Sequence, residues 1–295
     1  MRFIRDILAS KMAEQKPVIS FEFFPPKTVE GDRNLLERQI PALLTARPDF
    51  CSVTYGAGGS TRDKTLMIVD CIQREHHLTA LAHLTCVNHT QDEILELLKK
   101  FGALGCRNIL ALRGDSPGGG EFQPTPNGFE YSSQLVKFIR DHGNFSIGTA
   151  GFPEGHVACK TGKHDDWRHL QDKVAAGADF VLTQLFFDNA DYFEFRDYLT
   201  AKLGVNVPLI PGIIPILSAS QITKFTQLSG AKIPPALRES LDKLAGQDDA
   251  AVEFGIEYAT RQCEELLRAG VPGLHFYTLN KARSTLQVLK NLRLA

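Results

Sequence analysis

The sequence predicts an α/β fold of the (β/α)8 TIM-barrel type, one catalytic domain over residues 1–295 with extra helices before the eighth strand. Three observations predict it. Short apolar, β-branched or aromatic runs recur eight times, stretches of helical period lie between them, and several of the runs end on polar residues.

The eight runs are Val18–Phe23, 50–54, 79–84, Asn108–Leu112, 146–150, 180–184, 208–213 and Gly273–Tyr277. Helical patterns are clearest at 62–75, 91–101, 132–141, 166–176, 189–202 and 281–292, each with an apolar stripe able to cover a sheet. Glycines at Gly177 and Gly270 fall where helix C-caps are expected. The connection before the last strand is longer and holds three helical stretches, 218–228, 234–244 and 248–269. An open dinucleotide-binding sheet would carry Gly-x-Gly-x-x-Gly in its first turn. Here that turn reads Phe-Phe-Pro-Pro-Lys-Thr, and the glycines from Gly56 to Gly59 have the wrong spacing.

Composition narrows the function. With 295 residues and 43% hydrophobic content the chain can bury one large core. Its 33 Lys plus Arg nearly cancel 34 Asp plus Glu, so no net field draws it to nucleic acid or to an anionic membrane. Charges interrupt the apolar residues of the first 15 positions, which argues against a signal peptide. The six cysteines form no Cys-x-x-Cys pair and read as reduced thiols of a cytoplasmic protein.

Side chains alternate along a strand, so Ser20 and Glu22 share the face opposite Phe21 and Phe23. With the phenylalanines toward the helices, Glu22 points into the barrel near its mouth. Burial there would raise its carboxyl pKa and suit a general acid, although a structural ion pair fits the residue equally well. Thr54, Tyr55, His83, Gln184, His275 and Tyr277 also stand at strand ends and would line the same mouth. The fourth strand runs into Arg113, Gly114 and Asp115, a donor fork, a close-approach position and a second carboxylate. After the fifth strand, His156, Lys160 and Lys163 precede a helix. That loop reads either as a receiver of phosphate or as a solvated charged loop.

Other barrel chemistries find no support. The first strand lacks His-x-His and there is no His-Glu-x-x-His, so no metal site is expected. The sixth strand carries Thr183-Gln184 where a Schiff-base lysine would stand, and no Gly-x-Ser-x-Gly elbow exists.

The segments Ser20-Phe-Glu-Phe-Phe-Pro-Pro26, the run from Ser52 to Asp63, His83-Leu-Thr-Cys86 and Ala111-Leu-Arg-Gly-Asp115 together resemble the methylenetetrahydrofolate reductases. The likeness continues through Thr183 to Asp188, Ile210 to Ile213 and Phe276 to Asn280, in order and over nearly the whole chain. It implies an enzyme with FAD as cofactor that uses NADH or NADPH to reduce 5,10-methylenetetrahydrofolate to 5-methyltetrahydrofolate, in one-carbon metabolism and methionine biosynthesis.

By that resemblance Glu22 matches the general acid, and Asp115 the carboxylate near flavin and pterin that favours a cationic iminium. Thr54 matches a nicotinamide contact. Tyr55, Ala57, His83, Arg113 and Gly114 match flavin contacts, as do Tyr131, Ser132, Ala150, Phe152 and His156. Asp166, His169, Asp172 and Lys173 fall at further flavin positions. Gln184, Gln221, Phe225 and Lys281 match the substrate side, together with Asp115. Phe152 stands where relatives often have Tyr, Lys281 where Arg is usual, and Asp172 where some relatives are basic. The resemblance also implies a short, bacterial-type chain without a regulatory region and a homo-oligomer, tetramer or dimer. A flavin-free folate-dependent one-carbon or methyl transferase and a non-catalytic folate- or flavin-binding protein are the alternatives.

Overall fold

The computed structural model describes residues 1–55, 62–116 and 122–295. Eight parallel strands close into a barrel in chain order, β1 Val18–Phe23, β2 Phe50–Val53, β3 Ala80–Thr85, β4 Asn108–Leu112, β5 Ser146–Gly151, β6 Phe180–Leu185, β7 Leu209–Ile213 and β8 Gly273–Tyr277. Every run read as a strand is one, with ends displaced by at most one residue. β8 pairs with β1 through Ser20 opposite His275 and Glu22 opposite Tyr277, which closes the ring.

Alternation divides the core. Phe21 and Phe23 join Leu35, Ile40, Ile109 and Phe276 in the layer between sheet and helices. Val18, Phe50, Leu81, Leu110, Leu182 and Ile210 face inward, and Ile4, Ile7 and Leu8 of the first helix, α1 (Ile4–Ala13), plug the floor beneath them. Asn108 anchors that plug, accepting from Ile4 N at 2.8 Å and donating to Arg2 O at 3.2 Å. With an apolar plug below, ligands enter from the C-terminal mouth.

Outer helices follow the strands. After β1 come α2 (Val29–Asn34), a π-helical turn (Leu35–Gln39) and α3 (Ile40–Leu44). After the later strands come α4 (Arg62–Arg74), α5 (Gln91–Ala103), α6 (Ser132–His142), α7 (Lys163–Ala175) and α8 (Asn189–Leu203). Thr90 and Glu93 form a capping box that starts α5. Gly177 follows α7 and Gly270 follows the long helix Asp248–Arg268, with φ of 116° and 73°.

The helices expected before the eighth strand are α9 (Ala219–Ser229), α10 (Pro235–Lys243) and α11 (Asp248–Arg268), and α12 (Ala282–Asn291) ends the barrel. α11 docks on the start of α8, where Asn189 Nδ2 donates to Gln262 O at 3.1 Å and to Glu265 Oε2 at 2.6 Å. Among the described residues no helix is long and apolar enough to cross a membrane.

Candidate active site

Glu22 points inward at the top of β1 and is 5% exposed. Its Oε2 accepts from Ser52 Oγ at 3.3 Å and lies 3.3 Å from His275 Nε2 and 3.4 Å from His83 Nε2. The carboxyl is thus held between two imidazoles from β3 and β8. Strand register explains the grouping: Glu22 pairs with Ser52 across one edge of β1, and Ser20 with His275 across the other.

The expected rise in the Glu22 pKa is corrected by these neighbours. Burial does push the carboxyl up. Against it stand the charge of His83 and the hydrogen bond of His275, and these outweigh burial and bring Glu22 down to about 2.

Thr54 and Tyr55 follow β2 at the mouth, Thr54 half-buried and its N–H donating to Phe23 O. Tyr55 Oη lies 3.0 Å from His89 Nε2, and His89 Nδ1 donates to Val87 O at 2.8 Å. A carbonyl only accepts, so the neutral His89 ring carries its proton on Nδ1 and takes the Tyr55 hydroxyl proton at Nε2. Sequence reasoning missed His89, which carries no motif. Ala57 lies outside the described residues.

Arg113, Gly114 and Asp115 turn off β4. Arg113 lies over the Phe122 ring at 5.0 Å, Asp115 is exposed, and Gly114 sits so close to Val87 that a Cβ would come within 2.6 Å of Cγ1. Tyr131 and Ser132 start α6, the tyrosine exposed and the serine half-buried.

A cationic group gathers over β5. Lys173 Nζ donates to Ala150 O at 2.6 Å, and its pKa falls to about 8 because burial disfavours the ammonium, with Arg113 adding repulsion against Asp166. Burial and the Arg113 charge also hold His156 below its ordinary value, while burial raises Asp166. The His156 ring stands edge-on to Phe152 at 4.5 Å, and Trp167 Nε1 donates to Phe152 O at 2.9 Å. Arg113 and Lys173 supply the cations and His156 a ring nitrogen, with Asp166 the carboxylate among them, a donor set suited to a pyrophosphate. His169 and Asp172 are exposed on α7 and lie 3.8 Å from each other, and the His169 charge also acts on Asp166.

On the far side of the mouth, half-buried Gln184 ends β6 with its Oε1 accepting from Leu185 N at 2.9 Å. Gln221 in α9 accepts from Leu217 N at 3.0 Å, and Phe225 one turn later packs with Leu185, Ile214 and Ile216. Gln221 and Lys281 line one cavity of about 430 Å3 with Ser218, Asp248, Asp249 and Arg283. Glu154 ties the loop after β5 to this region. Its side chain is nearly buried and accepts from Lys232 N at 3.0 and 3.2 Å, a link across 78 residues that has no sequence signature.

Fold and mouth together define a (β/α)8 barrel that gathers a buried carboxyl between two imidazoles and a group of basic residues at the C-terminal ends of its strands. The chain belongs to the methylenetetrahydrofolate reductase family, whose profile matches residues 7–293. It is 36% identical to 5,10-methylenetetrahydrofolate reductase of Escherichia coli over 98% of this chain and 95% of that one. It is 37% identical to methylenetetrahydrofolate reductase (NADH) 1 of Arabidopsis thaliana over 98% of this chain. The chain spans about half the length of the plant and fission-yeast relatives it matches. A Clostridium thermocellum protein solved with two copies of 5-methyl-5,6,7,8-tetrahydrofolic acid shares the fold, with a TM-score of 0.66, 17% identity and 97% of each chain covered.

Proposed function

We propose that this protein reduces 5,10-methylenetetrahydrofolate to 5-methyltetrahydrofolate with FAD as cofactor and NADH or NADPH as reductant. The observation that carries the reading is the buried Glu22 carboxyl between His83 and His275 at the mouth, beside a cationic cluster. Family membership supports the chemistry, and the NADH in the name of the Arabidopsis relative makes NADH the first nicotinamide to try.

In this reading Arg113, His156 and Lys173 hold the FAD pyrophosphate, while Tyr55, Tyr131, Ser132 and Phe152 border the rest of the cofactor. FAD, when bound, supplies two-electron storage between nicotinamide and folate. Glu22 gives its carboxyl proton to the folate so that the five-membered ring opens. Asp115 holds a negative charge toward the resulting iminium. Gln184 and Thr54 orient nicotinamide and folate, Gln221 and Phe225 border the folate, and Lys281 receives its glutamate carboxylate. His169 and Asp172, exposed on α7, border the cofactor at its outer edge. The six unpaired cysteines support a cytoplasmic site of action, and a homo-oligomer is part of the same reading.

Stopped-flow mixing tests it. Reduced nicotinamide should bleach protein-bound flavin, and methylenetetrahydrofolate should restore the colour. Protein that is colourless and takes up no FAD overturns the reading. Folate turnover without flavin would favour the transferase alternative, and binding without turnover the carrier.

A further inference from the structure

Behind Glu22 lies a second shell that the reaction as described does not use. Ser20 and His275 are 0% exposed, directly below the carboxyl. His275 Nδ1 lies 2.8 Å from Ser20 Oγ and its Nε2 3.3 Å from Glu22 Oε2, so the three form one line inside the barrel. The ring is held in place by Phe50, stacked at 6.3 Å and 18°, and by Tyr277, edge-on at 5.4 Å.

The Ser20 hydroxyl has one proton and two acceptors, Leu274 O at 3.4 Å and His275 Nδ1 at 2.8 Å. Given to Leu274, it leaves Oγ to accept from Nδ1–H. In a neutral ring Nε2 is then bare, and its contact with Glu22 is attractive only when the carboxyl carries the proton. Given to Nδ1, it leaves the neutral ring an N–H at Nε2, which favours the carboxylate. The two arrangements differ by the one proton that an acid must give up. With that proton, the Ser20 hydroxyl changes its acceptor and the ring changes its tautomer.

We propose that His275, backed by Ser20, is a positioning residue that sets the protonation state of Glu22 and so lets a buried carboxyl both hold and release its proton. The inference rests on the folate-reducing reading only for the destination of that proton. Among the described residues, the other titratable groups facing the carboxyl are His83 from β3 and Tyr277 from β8, the latter held neutral by burial and by the Glu22 charge. Ser52 from β2 is a neutral donor, and β4, β6 and β7 present Leu110, Leu182, Ile210 and Gly212, none of which titrates.

The two residues can be separated by the direction in which their loss moves Glu22. Ser20→Ala removes the partner of Nδ1–H in a buried place, so the ring keeps its proton on Nε2, toward the carboxylate. The apparent pKa of Glu22 should fall by about half a unit or more. His275→Phe keeps the packing on Phe50 and removes the N–H and the ring charge, so burial gains weight and the pKa should rise by a similar amount or more. Infrared difference spectra of the full protein across pH read this directly, with the carboxyl band assigned by its loss in Glu22→Gln. The pH profile of methylenetetrahydrofolate reduction should move the same way.

Opposite displacements in the two variants support the proposal. A carboxyl titration unmoved in Ser20→Ala, or displaced in the same direction by both, overturns it. Opposed infrared shifts in the two variants, with wild-type protein that reduces no folate, leave the coupling standing and defeat the functional reading instead.

Discussion

Tyr277 Oη donates a 2.7 Å hydrogen bond to Thr183 O, joining β8 to β6 across β7. The ring crosses Gly212, where a Cβ would fall 2.6 Å from Tyr277 Cε2 and 2.3 Å from Thr183 O. Tyr277 borders His275 edge-on, so this crossing also helps to hold the ring beside Glu22. The small residue in β7 is therefore part of how the mouth is built.

Gly212→Ala should accordingly cost about 1–3 kcal/mol, because the added methyl meets backbone on one side and the half-buried Tyr277 ring on the other. The midpoint of chemical denaturation should fall while the slope of the transition stays unchanged. A variant as stable as the parent would mean that β7 moves away from Tyr277 without cost, and the crossing would lose its structural role.

Glu22→Gln should separate the half-reactions. Flavin reduction by the nicotinamide consumes no proton from residue 22, whereas ring opening of the folate does. The folate half-reaction should slow by about 10²–10⁴-fold, the usual worth of a positioned acid, with nicotinamide bleaching of flavin retained. Equal losses in both halves would remove Glu22 from the acid role.

The strands and the inward direction of Glu22 were legible because a period of two, with Phe21 and Phe23 on the opposite face, needs no tertiary information. The line through His275 was not. It depends on the register between β8 and β1, strands separated by about the whole length of the chain. The direction of the Glu22 pKa failed for the same reason, since burial was foreseeable from one strand but the opposing imidazoles come from two others. On α7 the family resemblance implied four flavin positions. The structure turns Asp166 and Lys173 toward β5 and leaves His169 and Asp172 exposed, a division set by the helix's rotation on the sheet. The helices over residues 29–44 escaped notice because a π-helical turn breaks their apolar stripe into short pieces.

Lys173 should make cofactor binding sensitive to pH. Its folded-state pKa of about 8 lies below the ordinary 10.5, so the unliganded folded state binds fewer protons than the unfolded chain between those values. Its contribution to stability is therefore present above about 10.5 and lost as pH falls through about 8. A bound pyrophosphate reverses that sign by favouring the ammonium. FAD should raise the thermal midpoint more at pH 7 than at pH 9.5, and Lys173→Met should flatten the difference. A FAD-induced rise that is the same at both pH values would place the pyrophosphate elsewhere.

Lys281→Arg should tighten folate binding. Lys281 is exposed at the start of α12 and lines the cavity that also holds Gln221, so a carboxylate entering there meets a single ammonium with no fixed geometry. The neighbouring Arg283 offers little help, since its guanidinium lies 2.7 Å from Glu253 and 3.8 Å from Asp249. A guanidinium at position 281 can grip both carboxylate oxygens at once. The KM for methylenetetrahydrofolate should fall by up to about tenfold, with kcat little changed, because the contact is made equally in ground and transition states. Added salt should shrink the gain, as the site is open to solvent. An unchanged KM at low salt, or one that rises because the new fork closes on Asp248 across the cavity, would take residue 281 out of the folate site.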